Sequence, residues 1–163
     1  MTTQDRDIEI GHLILKLVDA APIQKSFATA TLQAKAALTA DPSKLAASIA
    51  LPLELFGPDL PVALQSCRLS VMRAKTAYHI EKHPNATQYV LSLEHGGTIR
   101  VKNSAGWVTS NLSSLPSDPL SARWHTVPAD TWHQPCPGEN DWTVVAFHTA
   151  PANELKDEYD HTV

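Results

Sequence analysis

Between residues 8 and 50, apolar side chains recur at steps of three and four. Ile10, Leu13, Ile14 and Leu17 form one such stripe, the spacing that puts residues on one face of an α-helix. A second stretch, 27–38, is rich in Ala, Leu, Gln and Lys, all good helix formers. Asp41 followed by Pro42 has the form of an N-cap with proline at the first helical position, so the pattern predicts a third short helix running to Ile49. These helices carry almost no convergent polar chemistry. Their expected task is to cover a sheet face or to form an oligomer contact, and residues 1–50 read as a helical N-terminal segment.

Beyond Leu51 the pattern changes to short apolar runs separated by Pro, Gly, Asn, Asp and Ser, the texture of an all-β domain. Residues 51–163 are therefore expected to form a single β-barrel domain. The candidate strands are 67–74, 77–83, 88–94, 98–102, 106–109, 122–127 and 142–149. His95-Gly96-Gly97 reads as a tight hairpin turn between 88–94 and 98–102, because glycine takes positive φ without steric cost. The stretch 111–119, with its Ser, Pro and Asp residues, reads as a longer loop.

Composition narrows the class of partner. The chain has 163 residues, a formal charge of −4 and scattered Lys and Arg, so no basic field favours nucleic acid or an anionic membrane. A small-molecule ligand is expected instead. No apolar run is long enough to span a bilayer, and residues 1–7 are polar and acidic rather than signal-like, which predicts a soluble, cytoplasmic protein. Cys67 and Cys136 have no metal-type spacing and read as thiols. A Cys136 nucleophile near His133 is conceivable, but Pro135 and Pro137 suggest an irregular loop there. There is no G-x-G-x-x-G, Walker loop, H-E-x-x-H or G-x-S-x-G, so nucleotide, zincin and α/β-hydrolase chemistry have no anchor.

The chemistry gathers in 77–83. Alternate residues of a strand share a face, so His79, Glu81 and His83 point to the same side. If that side is the barrel interior, three such groups need a metal, a ligand or water, because an unpaired buried polar group costs roughly 1–3 kcal/mol. If it is the solvent side, they need no explanation. His125 and His148 join the same pocket if their strand parity turns inward, and Trp132 is a candidate for the pocket wall. His12, His95 and His161 read as solvated.

The residues that follow favour the interior reading. His83-Pro84-Asn85-Ala86-Thr87-Gln88, then the run 89–93 and a glycine turn, resembles the first motif of the cupin superfamily, G-x5-H-x-H-x3-4-E-x6-G. The ligand slots of that motif fall on Glu81, His83 and Gln88, and its closing glycine on Gly96. Downstream, Pro128-Ala129-Asp130-Thr131-Trp132-His133 resembles the second motif, P-x-G-x-x-H. Glu81 stands where the family has His, Gln88 where it has Glu, and Asp130 where it has Gly, although Asp tolerates the left-handed conformation.

The resemblance implies a double-stranded β-helix, or jelly-roll, barrel over about residues 60–150. It also implies a divalent metal at its mouth, held by His83, His133, Glu81 and Gln88. Two imidazoles and a carboxylate suit Fe(II) best, with Zn(II), Mn(II) or Ni(II) as alternatives. His79 is a replacement ligand or, with Glu81, a catalytic base. The implied function is a metal-dependent enzyme on a small organic substrate, foremost an iron dioxygenase. A non-redox lyase or isomerase and a non-catalytic binding protein are the alternatives. Such barrels often dimerise, and the apolar face of Leu13, Ile14 and Leu17 must be buried somewhere, so a homodimer is expected.

Overall fold

The computed structural model describes residues 3–161, so the outermost residues of the two expected segments, 1–2 and 162–163, lie outside the described residues. Helix α1 covers Thr3–Val18 and α2 covers Ala21–Ala40. In α1, Ile10, Ile14 and Val18 recur every four residues and are buried, while Leu13 stays exposed. Helix α2 has Pro22 in its first turn and buries a single face made of Ile23, Phe27, Ala30, Thr31, Ala34 and Leu38.

The third expected helix does not form. Asp41 ends α2 and makes a turn instead: its Oδ1 accepts from Ser43 N at 3.1 Å and from Ser43 Oγ at 2.6 Å. Local bonds of this kind compete with helix initiation. Ala46–Leu51 is strand β1, and all six of its residues pair antiparallel with β2, Ser66–Met72. Its alternation suits a strand at a sheet edge with one face covered, since Ser48 and Ala50 on the other face are exposed. Ala46 and Ser48 face the barrel interior, while Ala47, Ile49 and Leu51 pack beneath the helices.

The remaining elements are β3 (Glu81–Lys82), β4 (Gln88–Glu94), β5 (Gly96–Asn103), β6 (Gly106–Ser113), the short helix α3 (Leu120–Arg123), β7 (Trp124–Val127), β8 (His133–Pro137), β9 (Trp142–His148) and β10 (Glu158–Tyr159). They form two five-stranded sheets, ordered β1-β2-β9-β4-β7 and β10-β3-β8-β5-β6. Every pairing is antiparallel. The expected mainly β jelly-roll with N-terminal helices is the observed architecture.

The first sheet is buried on both faces, and this organises the core. Leu69, Val71, Leu91, Val145 and Phe147 pack against α1 and α2, with Phe56 edge-on to Phe147 at 5.0 Å. Met72, Ile99, Val127, Trp142 and Val144 fill the space between the sheets. Strand β9 therefore reads as seven consecutive buried residues, and each large apolar side chain there contributes roughly 1.5–3 kcal/mol by burial. Ile14 is part of the helix–sheet core and Leu17 packs against it, whereas Leu13 stays exposed, so the apolar face that suggested a dimer is buried only in part within one protomer. Among the described residues no helix is long and apolar enough to cross a membrane.

Three connections differ from the sequence expectation. His95-Gly96-Gly97 is a crossing between the two sheets and not a hairpin, because β4 pairs with β7 and β9 whereas β5 pairs with β6 and β8. The positive φ falls on His95, at 61°. Gly97 is needed for space: a Cβ there would sit 2.6 Å from Trp142 Cε3 and 2.7 Å from the Cys136 carbonyl oxygen. Strand β6 runs to Ser113, so the loop expected from Asn111 starts later. Strand β8 occupies the stretch whose prolines suggested a loop. The Pro135 carbonyl accepts from Tyr78 N at 3.1 Å on the β3 side, so the nitrogen of Pro135 faces that same short strand, where a missing donor costs the sheet little.

Candidate metal centre

The site is built from two cross-strand pairs, one in each sheet. Glu81 lies directly opposite His133 in the β3–β8 pair, and Gln88 lies opposite His148 in the β4–β9 pair. Opposed residues share a face with Cβ atoms about 5 Å apart, so each pair projects two polar side chains between the sheets. His83 follows β3 and completes the group; its carbonyl accepts from Ala86 N at 3.3 Å and from Asp130 N at 2.9 Å. The second of these bonds ties the two motif segments together. Asp130 adopts φ 57°, the left-handed conformation expected of that position.

Glu81, His83 and His133 are buried, and one potential ligand atom from each lies within 4.8 Å of the others. The His83 and His133 ring centroids are 5.2 Å apart. His133 Nδ1 is 3.1 Å from the Thr131 carbonyl oxygen, which can only accept, so the proton resides on Nδ1 and the Nε2 lone pair faces the cavity. That Nε2 has no hydrogen-bond partner and stands 3.6 Å from Glu81 Oε1. His83 Nδ1 is 2.8 Å from Asp157 Oδ1, at an angle short of a regular hydrogen bond. The carboxylate likewise favours the Nδ1–H tautomer and frees Nε2.

A buried nitrogen without a partner is unusual in a folded protein. Here it belongs to a set of two imidazoles and one carboxylate, a recognised facial arrangement for divalent transition metals. The three residues fit a metal ion. The amide nitrogen of Gln88 is 3.3 Å from His83 Nε2 and 3.2 Å from His148 Nε2; the same amide turned over presents its oxygen to this point. His148 is almost wholly buried, and its pKa is pushed down to about 2 by burial first, then by Arg68 and His83. It remains neutral at physiological pH.

The other residues singled out by the sequence are dispersed. His79 is exposed and packs against Tyr78 and Tyr159 at centroid distances of 5.0 and 5.7 Å. Strand β3 is only two residues long, so the regular alternation that would carry His79 inward does not extend back to it. Trp132 lies outside the cavity with the Lys82 ammonium 5.0 Å over its ring, one residue before the inward His133. His125 is half-buried, opposite Val90, with its pKa lowered by burial and then by His133; it does not line the cavity. The Cys136 thiol is pushed up by burial, which leaves little thiolate for a nucleophile.

The cavity measures about 70 Å³ and lies between the sheets, with Glu81, Gln88 and His133 at one part of its wall. Apolar side chains, among them Val90, Ile99, Trp142 and Val144, make up much of the rest, and Tyr78, Tyr159 and Arg68 complete it. Two contributors escaped the sequence reading. Asp157 belongs to the C-terminal segment, which Asn85 clamps by bonds to Glu154 O (2.8 Å) and from Lys156 N (3.1 Å). Its carboxyl is held below the usual range by His83 first, against the opposing effect of burial. Arg68 alternates with Cys67, Leu69 and Val71 along β2; its charge in an apolar strand was the available signal, but alone it reads as a solvent-facing position.

No protein-family model and no curated protein matches the chain. Solved structures do match in fold. An oxalate decarboxylase from Lactobacillus farciminis, in complex with formate, superposes with a TM-score of 0.54 at 13% identity, covering 71% of this chain and 31% of that one. A variant of the salicylate 1,2-dioxygenase of Pseudoaminobacter salicylatoxidans, in complex with gentisate, gives 0.60 at 14% identity, covering 85% and 36%. A recombinant oxalate oxidase in complex with glycolate gives 0.53 at 11% identity, covering 72% and 56%. Similarity therefore extends over only about a third to a half of those longer chains, and seed storage proteins such as coconut cocosin share the same fold at 0.54.

Proposed function

The chain has the cupin fold, and from that premise we propose that it is a metal-dependent enzyme acting on a small organic substrate, with an iron dioxygenase-type reaction as its chemistry. Fold alone does not select a reaction. The observation that carries the proposal is the buried trio Glu81, His83 and His133, with the His133 Nε2 lone pair unpartnered and facing the other two. Glu81, His83 and His133 would hold the ion, with Gln88 beside them as a fourth donor through its amide oxygen or a substrate contact. A divalent transition metal supplies Lewis acidity there and, if it is iron, electron exchange with dioxygen.

The chain's own residues do the rest. Asp157 and the Thr131 carbonyl orient the two imidazoles, so the donor set is arranged before the ion arrives. Val90, Ile99, Trp142 and Val144 make the interior apolar and limit access of bulk water. Tyr78 and Tyr159 border the cavity with raised pKa values, the first through burial and then Glu81, the second pushed up to about 12 by burial and then Glu81. Both hydroxyls therefore keep their protons at neutral pH and can donate a hydrogen bond to a substrate oxygen. His79, exposed and outside the cavity, has no part in this scheme.

The test is oxygen uptake by protein loaded anaerobically with Fe(II) or with Zn(II), on a panel of small acids, alcohols and sugars. The proposal expects oxygen consumption with one of these and only in the iron form. Oxygen-independent turnover by the zinc form would replace it with a non-redox lyase or isomerase. Failure to retain either metal would replace it with a non-catalytic binding protein.

A further inference from the structure

We infer that the substrate carries a carboxylate and that Arg68 is the residue that binds it, a deepening that rests on reading the interior cavity as the substrate site. Arg68 lies on β2 between Ala50 and Ala146, one inward row along from the row of Ser66, His148 and Gln88. Two residues along a strand is about 6.6 Å, so the guanidinium and the metal trio can engage opposite ends of one small molecule. The small side chains of Ala46, Ser48, Ser70 and Ala146 leave the space in front of it.

The guanidinium is poorly committed. Its nearest carboxylate is Asp157, at 3.7 Å between Nη1 and Oδ2, beyond hydrogen-bond distance, and it makes no hydrogen bond among the described residues. Five N–H donors in a planar fork match a carboxylate in two-point contact. Apart from Arg68, no Lys or Arg lines the cavity. Arg68 also borders an outer groove of about 270 Å³ beneath the C-terminal segment, walled by Ala152, Leu155 and Asp157. It therefore stands between the interior and a route from solvent.

Charge and size agree on the ligand class. The Glu81 and Asp157 carboxylates, the Arg68 guanidinium and a divalent ion together leave one positive charge, and a desolvated site favours a ligand that neutralises it. A cavity of about 70 Å³ falls well below the roughly 300–1,000 Å³ of sites for drug-sized ligands. A short aliphatic monocarboxylate fits both conditions better than a sugar.

The experiment is calorimetric titration with acetate, glycolate and pyruvate, and with glycolamide as the uncharged control. Wild type, Arg68→Gln and Arg68→Lys are compared, each with its metal content and circular dichroism measured. At least one carboxylate should bind wild type, and glycolamide should bind at least tenfold more weakly. Arg68→Gln should weaken carboxylate binding about 10- to 100-fold at unchanged metal content, since a charge-assisted two-point contact is lost. Arg68→Lys should recover part of it. Equal binding of glycolamide, no carboxylate binding, or undiminished affinity in a folded Arg68→Gln would each overturn the inference. Metal-free wild type that still binds carboxylate through Arg68 would sink the metal reading and leave the carboxylate subsite standing.

Discussion

His133 is the residue on which the metal reading can be tested most locally. It presents one nitrogen to the Thr131 carbonyl and the other to Glu81 and the cavity. His133→Ala should abolish metal retention while circular dichroism stays native, because the ring contributes more to the ion than to the apolar core. His12→Ala, on the exposed side of α1, should change neither. Asp157→Asn leaves Glu81, His83 and His133 in place but removes the carboxylate from His83; metal affinity measured by chelator competition should fall about 10- to 100-fold. Equal affinity in that variant would mean that His83 is oriented by packing alone. The buried group of Glu81, His83 and His133 was legible because local spacing around His83 and Pro128 places its members. Asp157 was not, since its contact with His83 spans 74 positions of chain and leaves no local pattern.

At the level of elements, the sequence showed periodicity well and pairing poorly. Strands with alternating or continuous apolar residues, such as β2, β4 and β9, were visible. Strand β1 was not, because Ala-Ala-Ser-Ile-Ala-Leu after Asp41-Pro42 satisfies a helical pattern as well as a strand one, and only the β2 edge decides between them. The misplacement of His79 has the same origin, a strand assumed to be longer than β3 is. Two predictions belong here. Gly97→Ala drives a methyl into the Trp142 ring and the Cys136 carbonyl, so it should destabilise the fold by roughly 1–3 kcal/mol in urea titration, as overpacking does.

The second concerns the docking of α1 on β4, where the Tyr89 hydroxyl donates to Asp7 Oδ1 at 2.8 Å. The phenol pKa is raised, by burial first and then by that bond. An acid that ionises less readily folded than unfolded stabilises fully below its unfolded pKa, near 10, and loses that contribution as pH climbs toward the folded value. Stability should therefore decline above pH 10, and Tyr89→Phe should flatten the decline while lowering stability at pH 7 by about 1 kcal/mol. An unchanged alkaline slope would count against the contact.

For the molecule as a whole, the helices, the doubly covered sheet and the second sheet form three layers that hold the polar group in an otherwise apolar interior. Burying Glu81, His83, Gln88, His133 and His148 together costs stability unless something pairs with them, and the central claim is that a transition metal is that partner. The most direct measurement is elemental analysis of protein purified without a metal-affinity tag, on wild type and on His133→Ala in parallel. The account predicts close to one equivalent of a transition metal per chain in wild type and near none in the variant. A folded wild-type protein that holds no metal after exposure to Fe(II), Mn(II), Ni(II) and Zn(II), or a His133→Ala variant with full occupancy, would contradict it.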